Sequence, residues 1–363
     1  MRQKVIVVGA GLIGASIGLQ LQRQGADVTF VEAGLPASAA SGRSFGWINA
    51  GFYLDQTHHH LRAEAMAAWH RLHGMLPKLA LEWCGCLSWD ISGDELEARQ
   101  GELSQMGYPV ERWDRARIAD AAPMLASDVH DALWLPGEGV AKAGVVTRQL
   151  LRAAQSEGAH LMTGTRVVGL SETGGRVSGV TTESGPLQAD KVVLAAGTGA
   201  RALLAPLDVA LPMLTRPGAI MQSRPVARIL DRVMVSPDLE FRQDGEGRIL
   251  APSAAAHQSD DSDMLDAAPD ELAHDTTMRL QRWLPDVEIS WEKITLAMRP
   301  VPGDGRPVVG PCGPDGLSVA VMHSGVTLGA LMGELVAQEV LSGEASDWLT
   351  PYRPQRFTAV DAV

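Results

Sequence analysis

The chain opens with a continuous apolar run, Val5 to Val8, which is typical of a strand covered on both faces. A glycine-rich turn follows, and then an apolar pattern with helical spacing that ends near Gly25. A second strand is predicted at Asp27 to Glu32. This strand–helix–strand order predicts two parallel strands joined by a right-handed crossover.

The apolar pattern beyond this unit changes character twice. Apolar residues with helical spacing predict a helix from Leu61 to Leu79. Between about Leu81 and Gly139, short segments rich in Trp, Pro and Gly predict an inserted second domain. The first pattern then returns with a helix at Thr147 to Gly158 and a strand at Leu161 to Leu170.

A hairpin around Gly174 and Gly175 and the strand in KVVLAAGTGA, at 191–200, complete this stretch. The final stretch, Arg299 to Leu341, runs from a Pro/Gly loop through a strand at Leu317 to Met322 into a helix with one apolar stripe. Between them lies a second insertion, Pro206 to Ala297, whose predicted elements are strands at Ala219 to Gln222, Glu240 to Arg242 and Arg248 to Ala251, an acidic loop at Ser259 to Asp266 and a helix near Glu271 to Leu284.

These patterns predict an α/β protein with two interleaved domains. At 363 residues the chain exceeds the usual size of one hydrophobic core. We assign 1–80, 140–205 and 298–363 to a nucleotide-binding domain. We assign 81–139 and 206–297 to a second domain built on an antiparallel sheet.

Composition narrows the classes of partner. The 31 basic and 43 acidic residues give a net charge of −12, which would repel a phosphate backbone, so nucleic acid is not expected as a partner. No apolar run reaches the ~18 to 20 residues of a membrane span. The three cysteines Cys84, Cys86 and Cys312 lack the spacing of a redox or zinc pair, so we expect reduced, structural thiols in a cytoplasmic protein.

Gly9, Gly11 and Gly14 form a G-x-G-x-x-G motif between the first strand and the first helix. In that context backbone amides and a helix N-terminus can hold a pyrophosphate. Glu32, at the end of the next strand, can accept hydrogen bonds from ribose hydroxyls. The alternative is a tight turn without a ligand. The motif predicts a dinucleotide but does not separate FAD from NAD.

Further motifs distinguish FAD from NAD as the predicted dinucleotide. The segment SAASGRSFGWINAG, at 38–51, has small and hydroxyl residues that let the backbone approach a flat ring. It is followed, in order, by GTRVVGL, AAGTGA, MRPVPGDGRPVVG and HSGVTLG. With these motifs nearly the whole chain resembles the D-amino-acid oxidase and glycine oxidase family of FAD-dependent oxidoreductases, which includes sarcosine oxidases and D-amino-acid dehydrogenases.

The resemblance implies a Rossmann-type FAD-binding domain of the glutathione-reductase-like kind and an antiparallel-sheet substrate domain. In the family, the last motif places a helix N-terminus against the pyrimidine edge of the flavin, where its positive end stabilises the anionic reduced ring. A well-capped helix without this role is the alternative. The residues that the resemblance assigns to FAD are Gly9, Gly11, Leu12, Ile13, Gly14, Glu32, Ala33, Ser41, Gly42, Arg43, Ser44, Gly46, Trp47, Val167, Ala196, Gly197, Gly199, Arg299, Ser324, Gly325, Val326, Thr327 and Leu328.

Two residues are implied in catalysis. In the amino-acid oxidisers of the family, the arginine at the place of Arg299 forms a bidentate pair with the substrate carboxylate. Structural pairing with an aspartate is the alternative. His323 is expected near the isoalloxazine, in contact with substrate, or else it is a packing histidine.

The chain departs from the family pattern at several positions. Glycine oxidases carry a second arginine where Ser324 follows His323, and Glu240 and Phe241 stand where these enzymes tend to place a tyrosine. Arg242 is either a replacement carboxylate contact or a surface arginine on a strand. Met298 lies close to the position of the cysteine that binds flavin covalently in sarcosine oxidases, so noncovalent FAD is expected.

The implied reaction is oxidation of an amino acid or amine. Hydride would pass from the carbon next to the amine to the flavin, and water would hydrolyse the imine to a keto acid or glyoxylate. The substrate would be a D-amino acid, glycine or a secondary amino acid, with oxygen or another electron acceptor. The rival functions are a flavin subunit of a heteromeric dehydrogenase, and a NAD-dependent dehydrogenase or a nucleotide-binding module without chemistry. A homo-oligomer is compatible with the sequence.

The run His58, His59 and His60 does not predict a metal site. Adjacent helical residues point about 100° apart, so three in a row do not converge on one ion. We expect these histidines to be solvated or to line a pocket. The sequence also has no nucleophile elbow or triad pattern that would indicate hydrolysis.

Overall fold

The structure, a computed structural model, describes residues 2–253, 264–265 and 267–357. The predicted acidic loop at Ser259 to Asp266 therefore lies almost wholly outside the described residues. The helices found in these ranges are α1 (Leu12–Arg23), α2 (Gln56–Met75), α3 (Gly93–Gln105), α4 (Arg115–Ala121), α5 (Ala143–Ser156), α6 (Ala200–Leu204), α7 (Pro269–Trp283) and α8 (Gly325–Ser342). Of these helices, none is long and apolar enough to span a membrane.

The strands belong to five sheets. In chain order they are β1 (Lys4–Val8), β2 (Asp27–Val31), β3 (Trp47–Ile48), β4 (Leu81–Glu82), β5 (Cys86–Ser88), β6 (Glu111–Asp114), β7 (Asp131–Leu135), β8 (Gly139–Ala141), β9 (His160–Met162), β10 (Val167–Thr173), β11 (Arg176–Thr182), β12 (Gly185–Gln188), β13 (Lys191–Leu194), β14 (Met213–Leu214), β15 (Pro217–Pro225), β16 (Val233–Val235), β17 (Glu240–Gln243), β18 (Arg248–Pro252), β19 (Trp291–Met298), β20 (Val301–Pro302), β21 (Val308–Pro311) and β22 (Leu317–Val321).

The central sheet has the order β21-β22-β13-β1-β2-β9 and is parallel apart from the edge strand β21. The apolar run of β1 is buried, as a strand covered on both faces requires. Helix α1 connects β1 to β2 and packs against α5 and α8. The predicted parallel strand–helix–strand unit and the α/β fold class are thus confirmed.

The second large sheet has the order β19-β15-β18-β17-β16-β5-β7-β6. Its pairs are antiparallel except for β16 and β5, which run parallel with Val233 opposite Cys86. The strands come from both predicted insertions, so the two segments complete one sheet. The domain boundaries drawn from the sequence remain a prediction.

The predicted strand from Leu161 to Leu170 is wrong as a single element. The chain forms β9 at the edge of the central sheet and then β10, which belongs to a separate three-stranded sheet with β11 and β12. Gly164, with a φ of 62°, lies between them, and its N–H donates to the carbonyl of Gly34. A left-handed residue breaks an extended strand, although the apolar pattern continues through it.

Helix boundaries also differ from the prediction. Helix α2 begins at Gln56 rather than Leu61, because Asp55 caps it by accepting a hydrogen bond from the N–H of His58 at 2.8 Å. Helix α5 begins at Ala143, four residues before Thr147. Helices α3 and α4 lie in the segment for which only short mixed elements were expected.

Helix α8 lies between α1 and α2 and presents its N-terminus to the interior. The predicted apolar stripe is buried at Leu328, Leu331, Met332, Val336 and Val340, while Leu335 is partly buried. The indole of Trp69 in α2 donates to the carbonyls of Val326 and Thr327, both at 2.9 Å. These contacts fix the start of α8 relative to α1 and α2.

Candidate active site

A large cavity in the described part of the chain has a volume of about 930 Å³. One side is formed by the turn after β1, the segment around β3, the turn after β13 and the N-terminus of α8. The other side is formed by residues of β15 to β19 in the eight-stranded sheet. The cavity therefore lies where the carboxyl ends of parallel strands meet a second sheet, as ligand sites in α/β proteins commonly do.

The glycine turn at the start of α1 is built for close backbone approach. Gly9 has a φ of 103°, and a Cβ there would lie 2.5 Å from the carbonyl oxygen of Ala195. A Cβ at Gly14 would overlap the carbonyl oxygen of Gly9. Gly11 is the N-cap residue of α1, and Gly11, Leu12 and Ile13 line the cavity, whereas Gly14 does not. The first turn of the helix thus offers its positive end to the cavity, and Gly14 allows the turn to pack.

Glu32 lies at the rim of the same end of the cavity, beside the exposed Ala33. Its two carboxylate oxygens accept hydrogen bonds from the N–H groups of Ala10 and Gly34, both at 2.8 Å. These bonds hold the side chain in place. They use only part of the acceptor capacity of a carboxylate, so a sugar hydroxyl can still donate to it.

The segment before and within β3 forms the next part of the wall. Ser41, Arg43, Ser44, Gly46 and Trp47 line the cavity, and Val167, Ala196, Gly197 and Gly199 line it from neighbouring elements. The Ser41 hydroxyl accepts a hydrogen bond from the N–H of Leu12 at 2.9 Å. Gly42 does not line the cavity. A Cβ at this position would overlap the carbonyl oxygen of Ala37, so the turn needs glycine here. Its role is to close the turn.

The N-terminus of α8 forms another part of the wall, beside the first turn of α1, because a Cβ at Gly325 would lie 3.5 Å from the side chain of Ile13. Ser324, the N-cap residue, has a φ of 55°, which is unusual for a residue with a side chain. Its hydroxyl lies 3.2 Å from Nδ1 of His323. Ser324 to Thr327 line the cavity, while Leu328 is buried in the core instead. The strained cap turns the first amides of the helix toward the cavity.

Arg299 follows β19, the edge strand of the eight-stranded sheet. Its backbone N–H donates to the carbonyl of Arg216 at 2.8 Å, and its Nη2 lies 3.4 Å from the carbonyl of Pro217. Arg299, Met298 and His323 all line the cavity. The structure therefore places the two residues implied in catalysis in the wall of the same cavity.

The residues at which the chain departs from the family pattern lie in different surroundings. Glu240 lines the cavity, as does Asp90, whereas Phe241 is fully buried on the other face of β17. Arg242 is only 5% exposed, so its assignment as a surface arginine is wrong. It is not among the cavity-lining residues either: its Nε donates to the carbonyl of Phe45 at 2.8 Å and supports the turn before Gly46.

The sequence interpretation missed Arg62, which lines the cavity and is 1% exposed. Its Nε and Nη2 donate to the backbone and side-chain oxygens of Asn49 at 3.0 and 2.6 Å, and its Nη1 donates to the hydroxyl of Ser324 at 2.8 Å. The available signal was its position three and seven residues before Ala65 and Trp69, on the apolar face of α2.

Glu138 is a second buried ionisable residue that the sequence interpretation missed. It accepts hydrogen bonds from the indole of Trp47 at 2.9 Å, the N–H of Gly51 at 3.1 Å and the hydroxyl of Tyr108 at 3.0 Å. Burial raises its pKa to about 7, against these hydrogen bonds, which lower it. It lies behind the wall that Trp47 forms.

The three consecutive histidines do not belong to this cavity. Burial lowers the pKa of His58 to about 3, and its neutral Nδ1 accepts from the N–H of Leu54 at 3.2 Å. His59 lies 2.8 Å from the carbonyl of Ala50 and, with the exposed His60, lines a separate cavity of about 640 Å³. Within the described ranges no group of three ligand-type side chains could hold a metal ion.

All three cysteines are free thiols, as expected for reduced, structural residues. Burial raises the pKa of Cys84 to about 11 and that of Cys86 further, and it raises the pKa of Cys312 to about 12. None of the three is among the residues that line the large cavity.

The geometry suits an extended dinucleotide. The N-termini of α1 and α8 both line the cavity, and Glu32, Arg62 and Arg299 are further residues of its wall. The volume of about 930 Å³ is at the upper end of the range for ligand pockets.

Comparisons with known proteins agree with this geometry. The family model described as FAD dependent oxidoreductase, DAO, matches residues 4–339. A glycine oxidase of Pseudomonas aeruginosa is 28% identical over 98% of this chain and 99% of its own length. One of the subunits of opine oxidase from Agrobacterium tumefaciens is 24% identical over 98% of each chain.

The fold is also similar to a solved structure. The crystal structure of glycine oxidase from Geobacillus kaustophilus superimposes with a TM-score of 0.87, covering 98% of this chain and 99% of that one at 23% identity. The similarity extends over both large sheets, so the whole architecture is shared.

Proposed function

The chain belongs to the DAO family of FAD-dependent oxidoreductases, and we propose that it oxidises a small amino acid or N-substituted glycine at the carbon next to the amine. The observation that carries the proposal is the meeting of three features in one cavity. These are the glycine turn of α1, the N-terminus of α8 and the guanidinium of Arg299.

The residues present fit FAD. The first amides of α1 suit the pyrophosphate, Glu32 suits a ribose and Val167 suits the adenine half. The wall from Ser41 to Trp47 and the start of α8 are assigned to the flavin ring. When bound, FAD accepts the hydride that leaves the substrate carbon.

The chain's own contribution to catalysis is orientation and electrostatics. Arg299 binds the substrate carboxylate in two parallel hydrogen bonds, which fixes the reacting carbon relative to the ring position. His323 contacts the substrate from the start of α8. The positive end of α8 stabilises negative charge at that end of the cavity. Water then hydrolyses the imine to a keto acid or glyoxylate.

A second candidate has support from one relative. The similarity to a subunit of opine oxidase supports a second candidate function. In this function the chain binds the flavin and passes electrons to a partner chain. In that case substrate oxidation would proceed on this chain, while oxygen would be a poor acceptor.

An anaerobic spectrum tests the proposal. The purified protein is mixed with D-amino acids, glycine, sarcosine, proline derivatives and bulkier N-substituted glycines in turn. Bleaching of the flavin absorbance by a member of this panel is the expected result, and rapid recolouring on admission of air identifies oxygen as acceptor. Recolouring only with an artificial acceptor favours electron transfer to a partner chain. If no amino acid or amine bleaches the FAD-loaded protein, both candidate functions are contradicted.

We also expect acid or heat to release FAD intact. Met298 stands in the cavity wall near the position of covalent attachment in sarcosine oxidases, and no cysteine of the described chain lines the cavity. After precipitation with acid, the flavin absorbance should be wholly in the supernatant. Flavin that stays with the washed, denatured polypeptide would show that the bond is covalent.

A further inference from the structure

Within the described part of the chain, the guanidinium of Arg62 is the one fully buried cation that reaches the wall of the large cavity. Its hydrogen bonds there go to Asn49 and Ser324, which are uncharged. No carboxylate in the described ranges lies within the 4.0 Å that defines an ion pair with it. Three of its five N–H groups are used by these bonds, so two N–H groups of this cavity-lining residue remain as donors.

A buried charge without a close counter-charge is costly to keep. Burial lowers the pKa of Arg62 to about 10, so the side chain is still protonated at neutral pH. Asn49 also links this arginine to α8, because the N–H of Asn49 donates to the hydroxyl of Thr327 at 3.3 Å. The cation and the positive helix end therefore face the same end of the cavity, and both favour an anionic ligand group there.

Resting on the proposed binding of FAD, we propose that Arg62 is a positioning residue that holds Ser324 and supplies the positive charge for the pyrimidine end of the flavin. The negative charge that arises there on reduction would then lie against both Arg62 and the start of α8. Arg62 would set how easily the bound flavin is reduced, without being needed for contact with the substrate.

Glu138 allows a test of the direction of this charge effect, because its carboxylate has the opposite charge to Arg62. Trp47 and Gly51, which flank Asn49 along the chain, both donate to its carboxylate. Its negative charge raises the pKa of Arg62, and the charge of Arg62 lowers the pKa of Glu138, so each side chain lies in the field of the other. Above pH 7, where Glu138 is ionised, the carboxylate therefore offsets part of the positive field that Arg62 directs into the cavity. Tyr108, which donates to Glu138, and the thiol of Cys86 are neutral neighbours at neutral pH.

The experiment compares four variants as FAD-loaded proteins. Arg62→Met removes the charge, Arg62→Lys keeps it without the fork of hydrogen bonds, and Glu138→Gln removes the offsetting carboxylate. Arg71→Met is the matched control, because Arg71 lies on the same helix and contacts Glu334 of α8 at 2.6 Å but does not line the cavity. The readouts are the midpoint potential and the dissociation constant of sulfite, which bleaches oxidised flavin and leaves negative charge on the ring.

For Arg62→Met, we expect sulfite affinity to fall about tenfold to hundredfold, as for loss of one charge-assisted hydrogen bond. A tenfold change corresponds to about 30 mV for a two-electron couple, so the potential should fall by about 30 to 60 mV. Arg62→Lys should recover part of the loss. At a pH above 7, where Glu138 is ionised, Glu138→Gln should shift both readouts in the opposite direction, and Arg71→Met should leave them unchanged. The kcat of Arg62→Met should fall, while KM for the amino acid changes little.

Wild-type sulfite affinity and potential in loaded Arg62→Met would overturn the inference. So would a shift of the same sign in Arg62→Met and Glu138→Gln, because that result indicates general damage to the site. If Arg62→Met does not fold, the direction of the shift in Glu138→Gln and the partial effect of Arg62→Lys decide the question. Failure of the wild-type protein to bind FAD would contradict the proposed function instead.

Discussion

Replacement of Arg299 by alanine is expected to lower the efficiency of substrate oxidation by a factor of ~100 to 1000 or more for substrates with a carboxylate. The reason is that the substrate anion would enter a partly desolvated site without its charge-assisted pair, at a cost of about 3 to 5 kcal/mol. The measurement is the rate of anaerobic flavin bleaching as a function of substrate concentration. FAD content should stay near that of the wild type, because the residues assigned to the pyrophosphate and the ribose, Gly11 and Glu32, belong to other elements of the cavity wall.

Two further variants and one substrate sharpen this test. Arg299→Lys should recover only part of the loss, because an ammonium cannot reproduce the planar two-bond geometry. Arg224→Ala, at an exposed arginine of the adjacent strand β15 that does not line the cavity, is the matched control. On an amine without a carboxylate, Arg299→Ala should have little effect. Wild-type efficiency of Arg299→Ala on the amino acid, or simple loss of FAD, would show that another residue binds the carboxylate.

Gly14→Val is expected to give protein without bound flavin. A Cβ at this position would overlap the carbonyl oxygen of Gly9 and lie 3.3 Å from the Cβ of Ala195, so either α1 or the glycine turn must move. Overpacking of this kind costs about 1 to 3 kcal/mol or more, and the displacement falls on the amides assigned to the pyrophosphate. The ratio of flavin absorbance to protein absorbance, with a thermal melt followed by circular dichroism, measures both effects.

Gly11→Val should also prevent flavin binding, but for a different reason. A Cβ there would lie 3.2 Å from the hydroxyl of Ser41, a side chain that can rotate, so the fold should suffer less. The loss would come from occupation of cavity space at the start of α1. Gly101→Ala in α3, where no atom lies within 4 Å of the added Cβ, should keep full flavin content and gain up to about 1 kcal/mol of stability. Yellow, stoichiometrically loaded Gly14→Val protein would contradict the assignment of the turn.

The sequence by itself determined the features that depend on neighbours in the chain. The apolar run of β1, the glycines after it and the acid at the end of β2 predicted a parallel unit, because strand burial, turn geometry and helix initiation are local properties. The apolar stripe of α8 was found for the same reason. The assignment of individual residues to FAD and substrate remains a set of predictions, which the variants above test.

Where a long-range contact decides the conformation, the local pattern was insufficient. The apolar residues from Leu161 to Leu170 fit one strand, but the turn at Gly164 divides them between two sheets, because β2 and β11 offer separate partners. Arg242 is a charged residue on a strand, and such residues usually lie at the surface. It is buried because the carbonyl of Phe45, far away in the chain, accepts its hydrogen bond.

The network around Arg62 shows the same limit most clearly. Arg62, Asn49, Glu138 and Ser324 come from separate segments, and only the packing of α8 against α2 and β3 brings these segments together beside the cavity. A sequence indicates that an arginine interrupts an apolar face, but not which oxygen atoms will surround it. Burial of a charged side chain is stable only when distant segments supply its partners, so its position and function are properties of the tertiary structure.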